Sequence, residues 1–185
     1  AGAVSASIVF GAQAQSPAVT TAPQTPAAPA AYSPTPGQAG KDVVWVPTPQ
    51  ALVDRMLDMA GVTKDDTVID LGSGDGRTVI TAARRGARAY GIEYNPDMVV
   101  LARRNAQAEG IADRATFEQG DIFQSDFSKA SVITLFLLPD LNIRLRPILL
   151  GMKLGTRVVS NTFEMGGWQP DDGIENGERG DLAAG

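Results

Sequence analysis

The sequence predicts a doubly wound α/β domain with a mostly parallel sheet, and three observations carry that prediction. Apolar, β-branched runs of strand length alternate with runs of helix length between residues 67 and 163. Cap, proline and glycine signals mark the joins, notably Asn95-Pro96, Gly86 and Gly110. A glycine-rich turn, Asp70-Leu71-Gly72-Ser73-Gly74-Asp75-Gly76, connects the first strand to the helix after it. Strands joined through helices form right-handed βαβ units, which place helices on both faces of a parallel sheet.

Order is expected to begin near Asp42, where Val43, Val44, Trp45 and Val46 form an apolar run ended by Pro47. Thr48 offers an N-cap oxygen and Pro49 suits a first helical position; Leu52, Val53, Met56 and Leu57 then make a stripe that stops at Gly61. A strand follows at 67–71, a helix at 77–85 and a strand at 88–93. Asn95 caps a helix that reaches Glu109, and a strand covers 115–119. The strongly apolar 132–138 reads as a strand, 139–153 as a helix carried by Leu141, Leu145, Ile148, Leu149 and Met152, and 157–163 as a last strand. After Gly166 the chain turns rich in Gly, Asp and Glu without strand pattern, so an irregular tail is expected.

With 185 residues, a net charge of −5 and 43% hydrophobic residues, the chain fits one globular core with an appendage. It contains neither cysteine nor histidine. Disulfides, thiolate nucleophiles, Cys/His zinc sites and imidazole acid–base catalysis are therefore excluded, and proton chemistry falls to Asp, Glu, Lys or Tyr. The acidic balance argues against a nucleic-acid substrate.

Residues 1–40 carry no charged side chain and are dominated by Ala, Pro, Ser, Thr and Gln, which predicts a leader and disordered tether. The small apolar run 1–10 leads into Ala12-Gln13-Ala14, which has the form of a signal-peptidase site and implies an exported, periplasmic protein. A flexible Ala-rich leader on a cytoplasmic protein is the alternative. No apolar run is long enough to span a membrane. The expected organisation is thus 1–40 tether, 41–166 folded domain and 167–185 tail.

The glycine turn is built to hold a ligand, because glycines admit positive φ and close backbone approach while the helix N-terminus presents free N–H groups. Its spacing is G-x-G-x-G, since the third glycine falls at Gly76 and not at Arg77. That separates it from the G-x-G-x-x-G of dinucleotide folds. Glu93 ends the next strand 19 positions beyond Gly74, where its two oxygens can accept both hydroxyls of a ribose. Asp121, just past the 115–119 strand, can accept a hydrogen bond from an adenine amine. Three strand ends then converge on one crevice.

These residues resemble the class I S-adenosylmethionine-dependent methyltransferases from about Val68 to Phe163, most specifically in VIDLGSGDGR. The resemblance implies a Rossmann-like sheet and S-adenosyl-L-methionine as cofactor. Asp70, Gly72, Ser73, Gly74, Asp75 and Gly76 would face its amino-acid part, Glu93 its ribose, and Asp121 with the Ile122 backbone its adenine. Tyr94, Asn95 and Leu137 are counted with the cofactor-binding residues. Within the superfamily, VWVPTP, GIEYNP and LFLLPDLNIRLRP are similar to a bacterial branch related to the lysine methyltransferases of the ATP synthase c-ring protein and of adenine nucleotide translocase. That implies a protein lysine as methyl acceptor.

Where amine-directed members often carry Asn/Asp-Pro-Pro-aromatic, this chain has Leu137-Leu138-Pro139-Asp140. Asp140 reads as a helix-start residue; with Glu164 it is also a candidate base, and no catalytic residue is assigned. Thr48 fits either a cap or the cofactor entrance, while Trp45 and Trp168 receive no role. Full members of the superfamily close the sheet with an antiparallel hairpin, and the tail offers no strand for it. This leaves a truncated or non-catalytic cofactor-binding protein as one alternative, with the fifth strand an exposed edge. An NAD-dependent oxidoreductase is the other.

Overall fold

The computed structural model describes residues 31–42, 44–175 and 178–180. The chain divides into two units, Ala1–Ala31 and Tyr32–Gly185, and the second holds the fold. The signal-like run and the tether up to residue 30 lie outside the described residues.

The elements are α1 (Gln50–Met59), β1 (Thr67–Leu71), α2 (Arg77–Arg84), β2 (Arg88–Glu93), α3 (Pro96–Ala108), β3 (Ala115–Gln119), β4 (Val132–Leu135), α4 (Pro139–Leu150), β5 (Arg157–Ser160), β6 (Gly173–Glu175) and β7 (Glu178–Gly180). The first five strands form one sheet in the order β3-β2-β1-β4-β5, with every pairing parallel. The strand order reverses between β1 and β4. In such a sheet, ligands bind beyond the carboxyl ends of the strands at the reversal.

Period-two alternation sorts the core into two layers. Val68 pairs with Val132 and Ile69 with Ile133, but the two pairs face opposite sides. Val68 and Val132 join Val53, Leu57, Val79 and Val99 in the cluster under α1, α2 and α3. Ile69 and Ile133 join Leu71, Leu135, Leu141, Leu145 and Leu149 in the cluster under α4. Asp70 and Thr134 are partners in the same register, so both share the α1–α3 face with Val68.

Several boundaries differ from the sequence expectation. Thr48 does not cap α1; Pro49 holds the N-cap position without a side-chain bond, and the Thr48 carbonyl accepts from Arg77 Nη1 at 2.8 Å. Asn95 does cap α3, accepting from the Asp97 and Met98 amides. β4 stops at Leu135 and not at Leu138; Leu138 instead holds the N-cap position of α4, extended (φ −62°, ψ 155°) as a residue before proline is. α4 stops at Leu150 with Gly151 as C-cap, short of Lys153. β5 ends at Ser160, since Thr162 turns back with φ 67°. The tail, expected to be irregular, contains the antiparallel β6–β7 ribbon. That ribbon is a separate two-stranded sheet and adds nothing to the five parallel strands.

Candidate cofactor site

The carboxyl ends of β1, β2 and β3 open into a cleft of ≈ 660 Å³, counting its space open to solvent. Gly72, Glu93, Tyr94, Asn95, Asp121, Ile122 and Leu137, seven of the twelve residues expected to bind the cofactor, line it.

The glycine turn is locked to the neighbouring strand before any ligand is considered. Gly72 and Ser73 amides donate to the Ile92 carbonyl at 2.9 and 3.1 Å. The Gly74 amide donates to Glu93 Oε2 at 2.9 Å, and the Asn95 amide to Glu93 Oε1 at 2.9 Å. Each Glu93 oxygen thus has one backbone donor and keeps capacity for another. Gly72 and Gly74 have φ of 80° and 52°, and a Cβ on Gly74 would lie 2.7 Å from Trp45 Nε1. Only glycine keeps this cradle open.

The other predicted loop residues turn into the fold. Ser73 is buried; its Oγ has no partner among the described residues and packs against Gly91, where a Cβ would come within 2.5 Å of it. Asp75 pairs with Arg77 at 2.6 Å, and Gly76 abuts Phe117 and Ala102. Asp70 is 7% exposed and accepts from Thr134 Oγ1 at 2.6 Å. Its face of the sheet keeps it behind the loop, not in the lining. Burial pushes its carboxyl up to about 7, with the nearby Glu93 and Asp75 charges adding to the rise and the Thr134 hydroxyl opposing it.

Gln38, Ala39, Gly40, Lys41, Asp42, Trp45, Met98, Gly120 and Leu141 complete the lining, and none of them was assigned to the cofactor from the sequence. The Gly37 amide donates to the Trp45 carbonyl at 2.7 Å, and the Trp45 amide to that of Gln38 at 2.8 Å. Residues on both sides of the expected 40/41 boundary therefore reach the site. Lys41 Nζ meets Asp121 Oδ2 at 2.7 Å and lies 4.6 Å from the Tyr94 ring centroid. The Phe123 amide donates to Asp121 Oδ1 at 2.9 Å. The Lys41 hydrogen bond, helped by that amide, holds the Asp121 carboxyl below its usual value, while Asp121 raises the Lys41 ammonium. Thr48 and Trp168 are absent from the lining, as are Asp140 and Glu164.

A 3-2-1-4-5 parallel sheet whose glycine turn is tied to an acid at the end of the next strand is the nucleotide-binding arrangement of the Rossmann-like class, and its G-x-G-x-G spacing fits an S-adenosylmethionine-dependent methyltransferase. The residues fit that cofactor: glycines keep the cradle free of Cβ atoms, and paired acids wait at two successive strand ends. Comparison with known proteins narrows the class. The ANTKMT methyltransferase domain matches residues 70–172, and the chain belongs to that family.

A protein-lysine N-methyltransferase of Saccharolobus islandicus (strain REY15A) is 45% identical over 136 residues, 72% of this chain and 84% of its own length. The human lysine N-methyltransferase named for the c-ring protein of ATP synthase is 32% identical over 128 residues, 69% of this chain and 54% of its own. The chain thus spans about half the length of that human enzyme. A crystal structure of an RNA methyltransferase from Salinibacter ruber with S-adenosyl-L-homocysteine is 53% identical, with a TM-score of 0.70, over 72% of this chain and 90% of the other. Nothing among these relatives supports the oxidoreductase alternative.

Proposed function

We propose that this methyltransferase transfers its methyl group to the ε-amine of a protein lysine. The observation that carries the reading is the 45% identity to a protein-lysine N-methyltransferase across most of both chains. An acidic chain of net charge −5 also suits an ammonium-bearing acceptor better than a phosphate backbone. The RNA acceptor named for the Salinibacter ruber relative is the second reading.

The cofactor supplies an electrophilic methyl on a sulfonium sulfur. The chain's own part is alignment and exclusion of water. Glu93 would receive the ribose hydroxyls on the lone pairs left free by the Gly74 and Asn95 amides. Asp121 would accept from the adenine amine in competition with Lys41. Gly72 and Leu137 would border the reactive end, where a Cβ on Gly72 would come within 3.2 Å of Leu137. A lysine acceptor must shed one proton before its lone pair can attack, either to water or to the exposed carboxylates of Asp140 or Glu164.

Incubation of the chain with radiolabelled methyl donor and whole-cell extract tests the reading. Label recovered as N-methyl-lysine after protein hydrolysis supports it, and label in RNA overturns it. For residues 1–14 export remains a separate proposal, resting on the apolar run before Ala12-Gln13-Ala14; fractionation of cells expressing the chain decides it.

A further inference from the structure

Two irregularities fall together beyond the carboxyl ends of β4 and β5. Asn142, in α4, is fully buried at 0% exposure. Its Nδ2 donates to the Phe163 carbonyl at 3.1 Å and the Glu164 carbonyl at 3.2 Å, while its Oδ1 has no partner among the described residues. Thr162 holds a φ of 67°, the only non-glycine residue in the left-handed region among those described. Buried unpaired acceptors and left-handed β-branched residues are both unfavourable, and folds concentrate such features where a site needs them.

Both irregularities bear on the backbone at one residue, Phe163. The Phe163 carbonyl also receives the Ser160 hydroxyl at 2.5 Å. So anchored, the Phe163 ring stacks on Phe136, with centroids 6.1 Å apart and planes 17° from parallel. Both rings are half-buried. They lie past β4 and β5, across the strand-order reversal from Gly72, Glu93 and Asp121. The pair is not remote from the cleft, because Leu137 follows Phe136, Leu141 precedes Asn142, and both leucines line it.

Neither ring can move a proton, so what the pair can offer a substrate is a binding surface. Its chemistry suits an aliphatic stem ending in a cation, since apolar faces take the methylenes and the ring quadrupole favours an ammonium. Asp140 and Glu164, both exposed, belong to the segments that carry this pair, beside Arg146, whose Nη1 donates to the Met165 carbonyl at 3.2 Å. We propose that Phe136 and Phe163 form the acceptor-side wall that receives a lysine side chain, and that Asn142 is the positioning residue that holds this wall through the Phe163 and Glu164 carbonyls. The inference rests on the lysine reading above.

The test uses the full chain, S-adenosylhomocysteine calorimetry and label transfer from radiolabelled methyl donor into N-methyl-lysine of whole-cell extract. In Phe163→Ala the labelling rate at limiting extract falls at least tenfold and climbs back as extract is raised, with homocysteine-compound affinity within twofold of the parent. Phe163→Tyr keeps most of the rate, and Asn142→Ala shifts the extract dependence in the same direction as Phe163→Ala. Should Asn142→Ala fail to fold, the two Phe163 variants decide. Lysine labelling indifferent to Phe163→Ala, or cofactor affinity lost in parallel with it, overturns this inference alone. Wild-type label in nucleic acid, or no label, overturns the lysine reading and this inference with it.

Discussion

Glu93 accepts the Gly74 amide at 2.9 Å, and this one bond ties the glycine turn after β1 to the end of β2. The bond is possible because β1 and β2 run parallel in register from Thr67↔Arg88 to Leu71↔Ile92. That register brings both strand ends to the same level. A carboxylate aimed at a positive-φ turn draws the backbone amides inward and stiffens the cradle before ligand arrives.

Asp70 should make stability depend on pH. Its folded-state carboxyl sits at about 7 against an ordinary 3.8. The raised value means that folding favours the protonated form. Its contribution is therefore intact below the unfolded value and lost as pH rises through about 7. Ionised at pH 8, the group costs the fold on the order of 4 kcal/mol. Urea unfolding of Asp70→Asn should show a variant close to the parent at pH 4 and increasingly more stable than it by pH 8. Parallel stability curves would contradict the buried-carboxyl account.

Two glycines with similar φ should respond differently to alanine. Gly76 has φ 85° and a Cβ there would lie 2.7 Å from the Phe117 ring, whereas Gly110 has φ 68° and nothing within 4 Å. Gly110→Ala incurs backbone strain alone, about 1 kcal/mol. Gly76→Ala adds overpacking at the start of α2 and should lose about 3 kcal/mol. Denaturant midpoints measure both, and equal losses would refute the packing argument.

Asp66 joins the starts of three strands. It accepts from Ser131 Oγ at 2.7 Å and from the Thr63 amide at 2.8 Å, and it pairs with Arg157. Burial opposes its charge, but the Ser131 and Thr63 hydrogen bonds and Arg157 together bring its carboxyl below the usual value. A lowered value gives stability that is present above 3.8 and lost as pH falls through the folded-state value. Asp66→Ala should cost about 2 kcal/mol at pH 7, with a smaller deficit at pH 3. An undiminished deficit at pH 3 would show that packing, not charge, explains the loss.

The strand ends were legible because each carries a signal with one local cause: glycines for positive φ at 72, 74 and 76, and an acid ending β2. The side of the sheet each residue takes was harder. Asp70 reads as a ligand contact by its place in the motif, yet alternation turns it toward Thr134. Asp75 likewise directs its charge to Arg77. Residues 37–40 were illegible for another reason. Their polar, glycine-containing composition signals a linker, and the backbone bonds that tie Gly37 and Gln38 to Trp45 bring them to the cleft. Asn142 gave no signal either, since an asparagine inside an apolar helix is recognised only once its carbonyl partners are in place.

The central claim is that the ends of β1, β2 and β3 hold the cofactor, with Glu93 on its ribose. Calorimetric titration of the parent and of Glu93→Ala with S-adenosylhomocysteine tests it most directly. The account predicts one site per chain and at least thirtyfold weaker binding in the variant, the loss of about 2 kcal/mol expected for hydrogen bonds to a charged acceptor. Equal affinity in the two proteins would contradict it.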